Sequence, residues 1–157
     1  MVAKGGHSLL PRQAVEAVKS LMVRRAALIT PNAPEAEALT GIEVADLDGQ
    51  RRAAEALLAM GAKAALVKGG HVEGDTLIDV LLTPSGETLL EGPRIDTTST
   101  HGTGCTLASA CATGIAQGLP LEAAVARAWA YVAEAIRRAP GYGNGHGPLN
   151  HGWPLED

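Results

Sequence analysis

Cysteine is nearly missing from this sequence: Cys105 and Cys111 are the two in 157 residues. That is too few for a disulfide framework, and their spacing matches no metal site. They lie six apart on one expected helix, so they point to different faces about 9 Å apart along the axis. No intrachain disulfide is expected. Long apolar runs are missing too, and no stretch reaches the length needed to span a bilayer. Basic residues are not in excess: 13 Lys and Arg against 17 Asp and Glu leave a formal net charge of −4. With no basic stripe, nucleic acid is excluded as a partner. Met1-Val2-Ala3-Lys4-Gly5-Gly6 has no apolar h-region, so no signal peptide is read there. Repeats, charge blocks and low-complexity segments are likewise lacking. These absences leave a cytoplasmic, reduced setting without membrane or nucleic-acid partners. An anionic ligand must be held by local positive groups. At 157 residues and 46% hydrophobic, the chain suffices for one core and falls short of two comfortable domains.

What is present alternates. Gly5-Gly6 reads as a turn. Pro11 to about Val23 reads as a helix with Pro11 at its first position and Ser8 as an upstream cap. Residues 26–30 form a short apolar run that suits a buried parallel strand. A short helix spans Pro34 to Leu39, closed by Gly41. Asp48 to Met60 reads as a helix capped by Asp48 and stopped by Gly61. Ala64 to Lys68 is a second buried strand. Thr76 to Thr83 and Glu87 to Leu90 read as a hairpin inserted into the alternation, turning at Pro84-Ser85-Gly86. Gly102 to Gln117 and Pro120 to Arg138 read as long helices, and the Gly-, His- and Pro-rich stretch from Pro140 to His151 as irregular. Strand–helix alternation predicts an α/β protein with a mainly parallel sheet, whose ligands collect at the carboxyl ends of the strands.

Three polar signals follow those strands. Thr100-His101-Gly102-Thr103-Gly104-Cys105 leads into a helix. Two glycines permit a tight turn and close approach to a ligand, and a helix start offers free N–H groups to a phosphate. A thiol in a first helical turn has its pKa lowered; the competing reading is a helix start with a small buried Cys. Asn32 and Glu35, spaced N-x-x-E, suit either the water shell of Mg²⁺ or a helix cap, and both can hold at once. Lys68 is either a phosphate-binding point charge or a solvated strand end; Gly69-Gly70 beside it leaves room for a ligand. His71, His101, His146 and His151 match no zinc pattern. Cys111 reads as a buried small residue, Trp129 and Tyr131 as packing, and Asp96 as a strand-end residue or a solvated one.

Four motifs in order then carry a resemblance: Pro31 to Leu39, Val67 to His71, Thr100 to Leu107, and Gly145 to His151. Together they resemble the hydroxymethylpyrimidine/phosphomethylpyrimidine kinases of thiamine biosynthesis, in the ribokinase-like superfamily. The resemblance runs over essentially the whole sequence, and Thr100 to Thr106 is its most diagnostic part. It implies a three-layer α/β/α fold with a mainly parallel sheet, truncated at the N-terminus, because a segment like Met1 to Gly6 is internal in that family. Residues 1–157 would be the C-terminal, ATP- and anion-binding part of a single kinase domain. The partner implied is a homo-oligomer or the missing N-terminal segment.

The resemblance further implies ATP and Mg²⁺ as cofactors and a small pyrimidine as acceptor. Gly102, Thr103, Gly104 and Cys105 would surround the transferring phosphoryl group, with Cys105 standing where most ribokinase-like kinases carry an Asp base. Thr100 and His101 would border the nucleotide. Lys68 would contact its phosphates, and Asn32 and Glu35 would organise Mg²⁺ through water. Alternatives stay open at this point: a pyridoxal or hydroxyethylthiazole kinase, a non-catalytic nucleotide- or partner-binding module, and a Cys-hydrolase pairing His101 with Cys105, although the glycines of that run fit phosphate better.

Overall fold

A computed structural model describes residues 11–72 and 74–155, with the side chains of Arg12 and Gln13 left aside. The expected Gly5-Gly6 turn and Ser8 cap lie outside the described residues. The chain divides into two compact units, Met1–Pro93 and Arg94–Asp157.

In the first unit, α1 spans Arg12–Ala17. Pro11 precedes this helix instead of opening it, because its ψ of 153° is extended. The expected single helix does not hold its winding. It passes into a π-helical turn, Val18–Met22, then a 3-10 turn, Val23–Arg25. The winding leaves Val23 fully buried and Leu21 and Met22 facing outward.

Helix α2, Ala33–Thr40, ends on Gly41, whose φ of 76° suits the left-handed cap that glycine takes without strain. Helix α3 spans Leu47–Ala59, and its cap is Asp46, not Asp48. Asp46 has the extended backbone that a cap needs, and its Oδ1 accepts from the Gly49 N–H at 2.7 Å. Asp48 is already helical and meets Arg51 at 3.3 Å instead.

The strands β1, Ala65–Val67, β2, Thr76–Thr83, and β3, Gly86–Pro93, form an antiparallel sheet in the order β1-β2-β3. The hairpin is therefore a continuation of β1, with Val67 opposite Val80 and Val80 opposite Leu89. On its other edge β1 makes the expected parallel pairing with residues 26–32. The Ile29 N–H donates to the Ala64 carbonyl (3.0 Å), Leu66 to Ile29 (2.8 Å) and Lys68 to Pro31 (2.9 Å). Every residue of β1 is buried, as a strand paired on both edges and covered by α3 requires. Ala36 and Leu39 of α2, Ala53, Ala54 and Leu57 of α3, and Val67 of β1 close the core.

In the second unit, α4, Thr103–Ala116, and α5, Leu121–Arg137, pack on each other. A Cβ at Gly114 would stand 2.8 Å from the Ala124 Cβ, so the two backbones approach where only glycine fits. Ala124, Val125, Ala128, Val132 and Ala135 make the buried stripe of α5. Beyond it, the Tyr131 hydroxyl donates to the His151 carbonyl at 2.9 Å, and the Tyr131 and Trp153 rings lie 5.8 Å apart.

Gly69 and Gly70 separate cleanly. A Cβ on Gly69 would run into the Ile78 carbonyl oxygen, whereas nothing lies within 4 Å of one on Gly70. Gly69→Ala is therefore expected to lower unfolding free energy by about 1–3 kcal/mol and Gly70→Ala by less than about 0.5 kcal/mol. Urea denaturation midpoints check this; equal midpoints for the two variants would remove the packing role of Gly69.

Candidate functional site

In the first unit the structure brings Asn32, Glu35 and Lys68 together. Asn32 and Lys68 form an isolated parallel bridge where the extended segment meets the end of β1. Asn32 then caps α2: its Oδ1 accepts from the Glu35 N–H at 2.9 Å, and Glu35 Oε2 accepts from the Asn32 N–H at 2.9 Å. This reciprocal capping box satisfies two helix-start donors, so the capping reading of N-x-x-E holds. Burial of Glu35 disfavours its charge, but the Asn32 N–H bond and the charge of Lys68 are among the groups that outweigh it, leaving the carboxyl below its ordinary range.

Lys68 is half-buried and Gly69 buried. The Gly69 N–H donates to Asp79 Oδ1 at 2.8 Å. Beside them Gln50, 1% exposed, donates through Nε2 to the Val67 carbonyl (3.0 Å) and the Ile78 carbonyl (2.9 Å). The turn is thus shaped by packing and a buried polar pair. Gly69 is required by close approach to Ile78, and only Gly70 has the open space that both glycines were expected to provide.

In the second unit Thr100 to Cys105 form a loop and helix start. Gly102 is the N-cap of α4, with φ 82° and no side chain to cap with. The hydroxyls of Thr103 and Thr106 point back, donating to the Thr100 and Gly102 carbonyls at 2.8 Å each. Among the described residues, the N–H groups of Gly102, Gly104 and Cys105 have no hydrogen-bond partner. Cys105 is exposed and Cys111 buried, where burial pushes the Cys111 thiol up. The chain from 140 to 151, expected to be irregular, is pinned to this loop. His101 bridges Pro148, its N–H donating to the Gly147 carbonyl at 3.1 Å. A Cβ on Gly147 would meet the Oγ of buried Ser99 at 2.7 Å. Ser99 escaped the sequence reading, and Gly147 entered it only as part of the Gly145 to His151 motif, without a place beside this loop.

The phosphomethylpyrimidine kinase family model matches residues 1–150. The chain belongs to the phosphomethylpyrimidine kinase family. It is 48% identical over 157 residues to the thiamine biosynthesis bifunctional protein ThiED of Geobacter sulfurreducens, covering all of this chain and 32% of that protein. It is 47% identical over 154 residues to the hydroxymethylpyrimidine/phosphomethylpyrimidine kinase of Streptomyces coelicolor, covering 98% of this chain and 57% of that one. Thus the chain spans about half, or less, of the length of the curated relatives it matches.

Among solved structures, a Bacillus subtilis pyridoxal kinase in complex with ADP aligns with a TM-score of 0.91 at 30% identity, over 100% of this chain and 60% of that one. A phosphomethylpyrimidine kinase from Clostridium difficile aligns with a TM-score of 0.75 at 34% identity, over 87% and 54%. The fold is the ribokinase-like α/β fold. No helix among the described residues is long and apolar enough to cross a membrane.

The donor set near Asn32 bears on the Mg²⁺ that the sequence resemblance implies. The described residues contain no group of three or more His, Cys, Asp or Glu able to hold an ion. One amide oxygen and one carboxylate, both half-buried and already tied to backbone, fit a hydrated Mg²⁺ held through its waters and not an all-protein cage.

Because the Glu35 carboxyl lies below its ordinary 4.5, its ionised form favours the folded state. That contribution is complete above the unfolded pKa and is lost as pH falls through the folded one. The stability gap between the parent and Glu35→Gln is therefore expected to be full at pH 7 and to shrink below about pH 4.5. Asn32→Ala should cost about 1 kcal/mol at neutral pH. Denaturation at several pH values measures both, and a gap that widens on acidification would overturn the assignment.

Proposed function

We propose that this chain forms the nucleotide- and anion-binding part of a kinase that transfers phosphate from ATP to hydroxymethylpyrimidine and its monophosphate in thiamine biosynthesis. Residues 1–157 are read as one portion of a single kinase domain. The observation that carries the reading is the start of α4, where Gly102 turns the chain and leaves the N–H groups of Gly102, Gly104 and Cys105 unspent, in a chain of this family. Such groups at a positive helix end bind phosphate.

In this reading Gly102, Thr103, Gly104 and Cys105 surround the transferring phosphoryl group. Phosphoryl transfer depends on positioning and charge stabilisation more than on covalent work. Cys105 is exposed in the first turn of α4 and takes the acceptor's hydroxyl proton. A phosphomonoester acceptor needs less help, since its second pKa is about 6. Thr100 and His101 border the nucleotide, and Lys68 meets its phosphates as a point charge. Asn32 and Glu35 hold hydrated Mg²⁺, which supplies charge neutralisation to the phosphates when bound. The two unbridged cysteines fit a reduced, cytoplasmic setting.

A second copy, or the part of the family fold that this chain does not match, is read as covering one edge of the first unit. Among the described residues, the backbone groups of Leu28 and Thr30 have no hydrogen-bond partner on the side away from β1. They border a trough of 520 Å³ lined by Leu21, Met22, Leu28 and Ile29 among others. An open strand edge over apolar side chains recruits another strand.

Two outcomes are expected. The purified chain should associate, by light scattering, beyond a monomer; a monodisperse monomer would count against the covered edge. With the rest of the fold supplied, Cys105→Ala should lower turnover on the hydroxymethyl acceptor by about 100-fold or more, as loss of a general base does, while Cys111→Ala leaves it within severalfold. Unchanged turnover in Cys105→Ala would remove the thiol from the mechanism.

A further inference from the structure

The antiparallel ladder of β1 and β2 stops one residue before it is needed. Its register runs Ala65 to Leu82, Leu66 to Leu81 and Val67 to Val80, and the next rungs would bring Lys68 to Asp79 and Gly69 to Ile78. The Lys68 N–H, like that of Leu66 before it, faces the parallel neighbour and donates to Pro31. Beyond Val67, β1 keeps its parallel pairing and loses its antiparallel one. The gap this leaves is filled by a side chain: the Gln50 amide sits between the two strands and donates to the Val67 and Ile78 carbonyls, one from each. Asp79, 4% exposed, accepts from Gly69. Gln50 and Asp79 are among few buried polar side chains in the described residues, and both bond at this split.

The amide supplies a donor to one carbonyl of each strand, and an apolar side chain of similar shape would leave both carbonyls without it. The amide also has a geometric effect: it bonds to both strands beyond Val67, so the turn from Lys68 to Gly70 leaves the sheet at a set angle. Gly70, at the outer end, is exposed and has open space at its α-carbon.

We infer that Gln50 and Asp79 are positioning residues that hold the Lys68-Gly69-Gly70 turn in the shape that receives a nucleotide's phosphates. The inference rests on the reading of Lys68 given above. Gln50 acts on the ligand only through the turn. Its loss therefore weakens ligands that carry phosphates and spares those that do not.

The test uses the whole 157-residue chain and Gln50→Met, which keeps the length and removes both donors. Amide exchange at Gly69 and Gly70 is read by NMR, and affinities for ADP and adenosine by calorimetry. In Gln50→Met, Gly69 exchange should rise at least about tenfold against the β2 and β3 amides, and ADP affinity should fall about tenfold. Adenosine affinity should stay unchanged. Asp79→Asn keeps an acceptor for Gly69 and should stay near the parent, whereas Asp79→Ala should follow Gln50→Met. Unchanged Gly69 exchange in Gln50→Met overturns the inference, and so does an equal loss of ADP and adenosine affinity. If Gln50→Met loosens Gly69 while ADP binds as before, the turn is held but does not serve phosphate, and the inference fails. Lys68→Ala separates the two readings. Parent-like ADP affinity in that variant would sink the Lys68 reading, whatever Gly69 exchange shows.

Discussion

The first unit depends on a contact that allows no side chain: the Gly69 α-carbon against the Ile78 carbonyl oxygen. It is the point at which β1 stops being antiparallel to β2 and becomes solely parallel to residues 26–32. The strand before it is fully buried, so the antiparallel pairing ends inside the core, where each backbone donor and acceptor needs a mate. Gln50 and Asp79 supply those mates from α3 and β2. The same junction sets Lys68 beside Asn32. The polar end of the strand is therefore a product of how the core is closed, with no freely moving loop between them.

Two helix starts solve one problem in opposite ways. Four N–H groups are orphaned at every helix N-terminus. Helix α2 satisfies its own with Asn32 and Glu35. Helix α4 begins on a glycine with nothing to offer, and its threonine hydroxyls turn toward carbonyls behind them. The first arrangement favours local stability, about 1 kcal/mol for such a cap. The second forgoes it and, among the described residues, leaves donors without a partner.

Much of this was legible in the sequence because local rules and tertiary needs agreed. Alternation, the hairpin over 76–90, the helix ends at Gly41 and the Gly-rich entry to α4 all follow from turn chemistry and periodicity. The failures came where two local signals competed or where the partner lay far along the chain. Asp46 and Asp48 are equally good caps by type, and only backbone conformation separates them. The winding change after Ala17 leaves no mark in composition, since Val18 to Val23 suits a continuous helix. Gln50 drew no reading of its own, because its carbonyl partners are 17 and 28 residues away. The tail is irregular as expected, but its anchor, a hydrogen bond to His101, leaves no local mark in the sequence.

That anchor has a consequence for how the chain is made. The loop at Ser99 to His101 is complete only when Gly147 lies against Ser99 and its carbonyl meets His101. During synthesis α4 and α5 emerge first and can pack on each other through the Gly114 and Ala124 contact. The loop ahead of α4 must wait for Gly147 to leave the ribosome, several seconds after His101 at roughly 5–20 residues per second. The helix start with unspent donors is thus finished after the two helices that follow it. A chain released early, before Gly147, would carry both helices and lack the seat that orders their entrance.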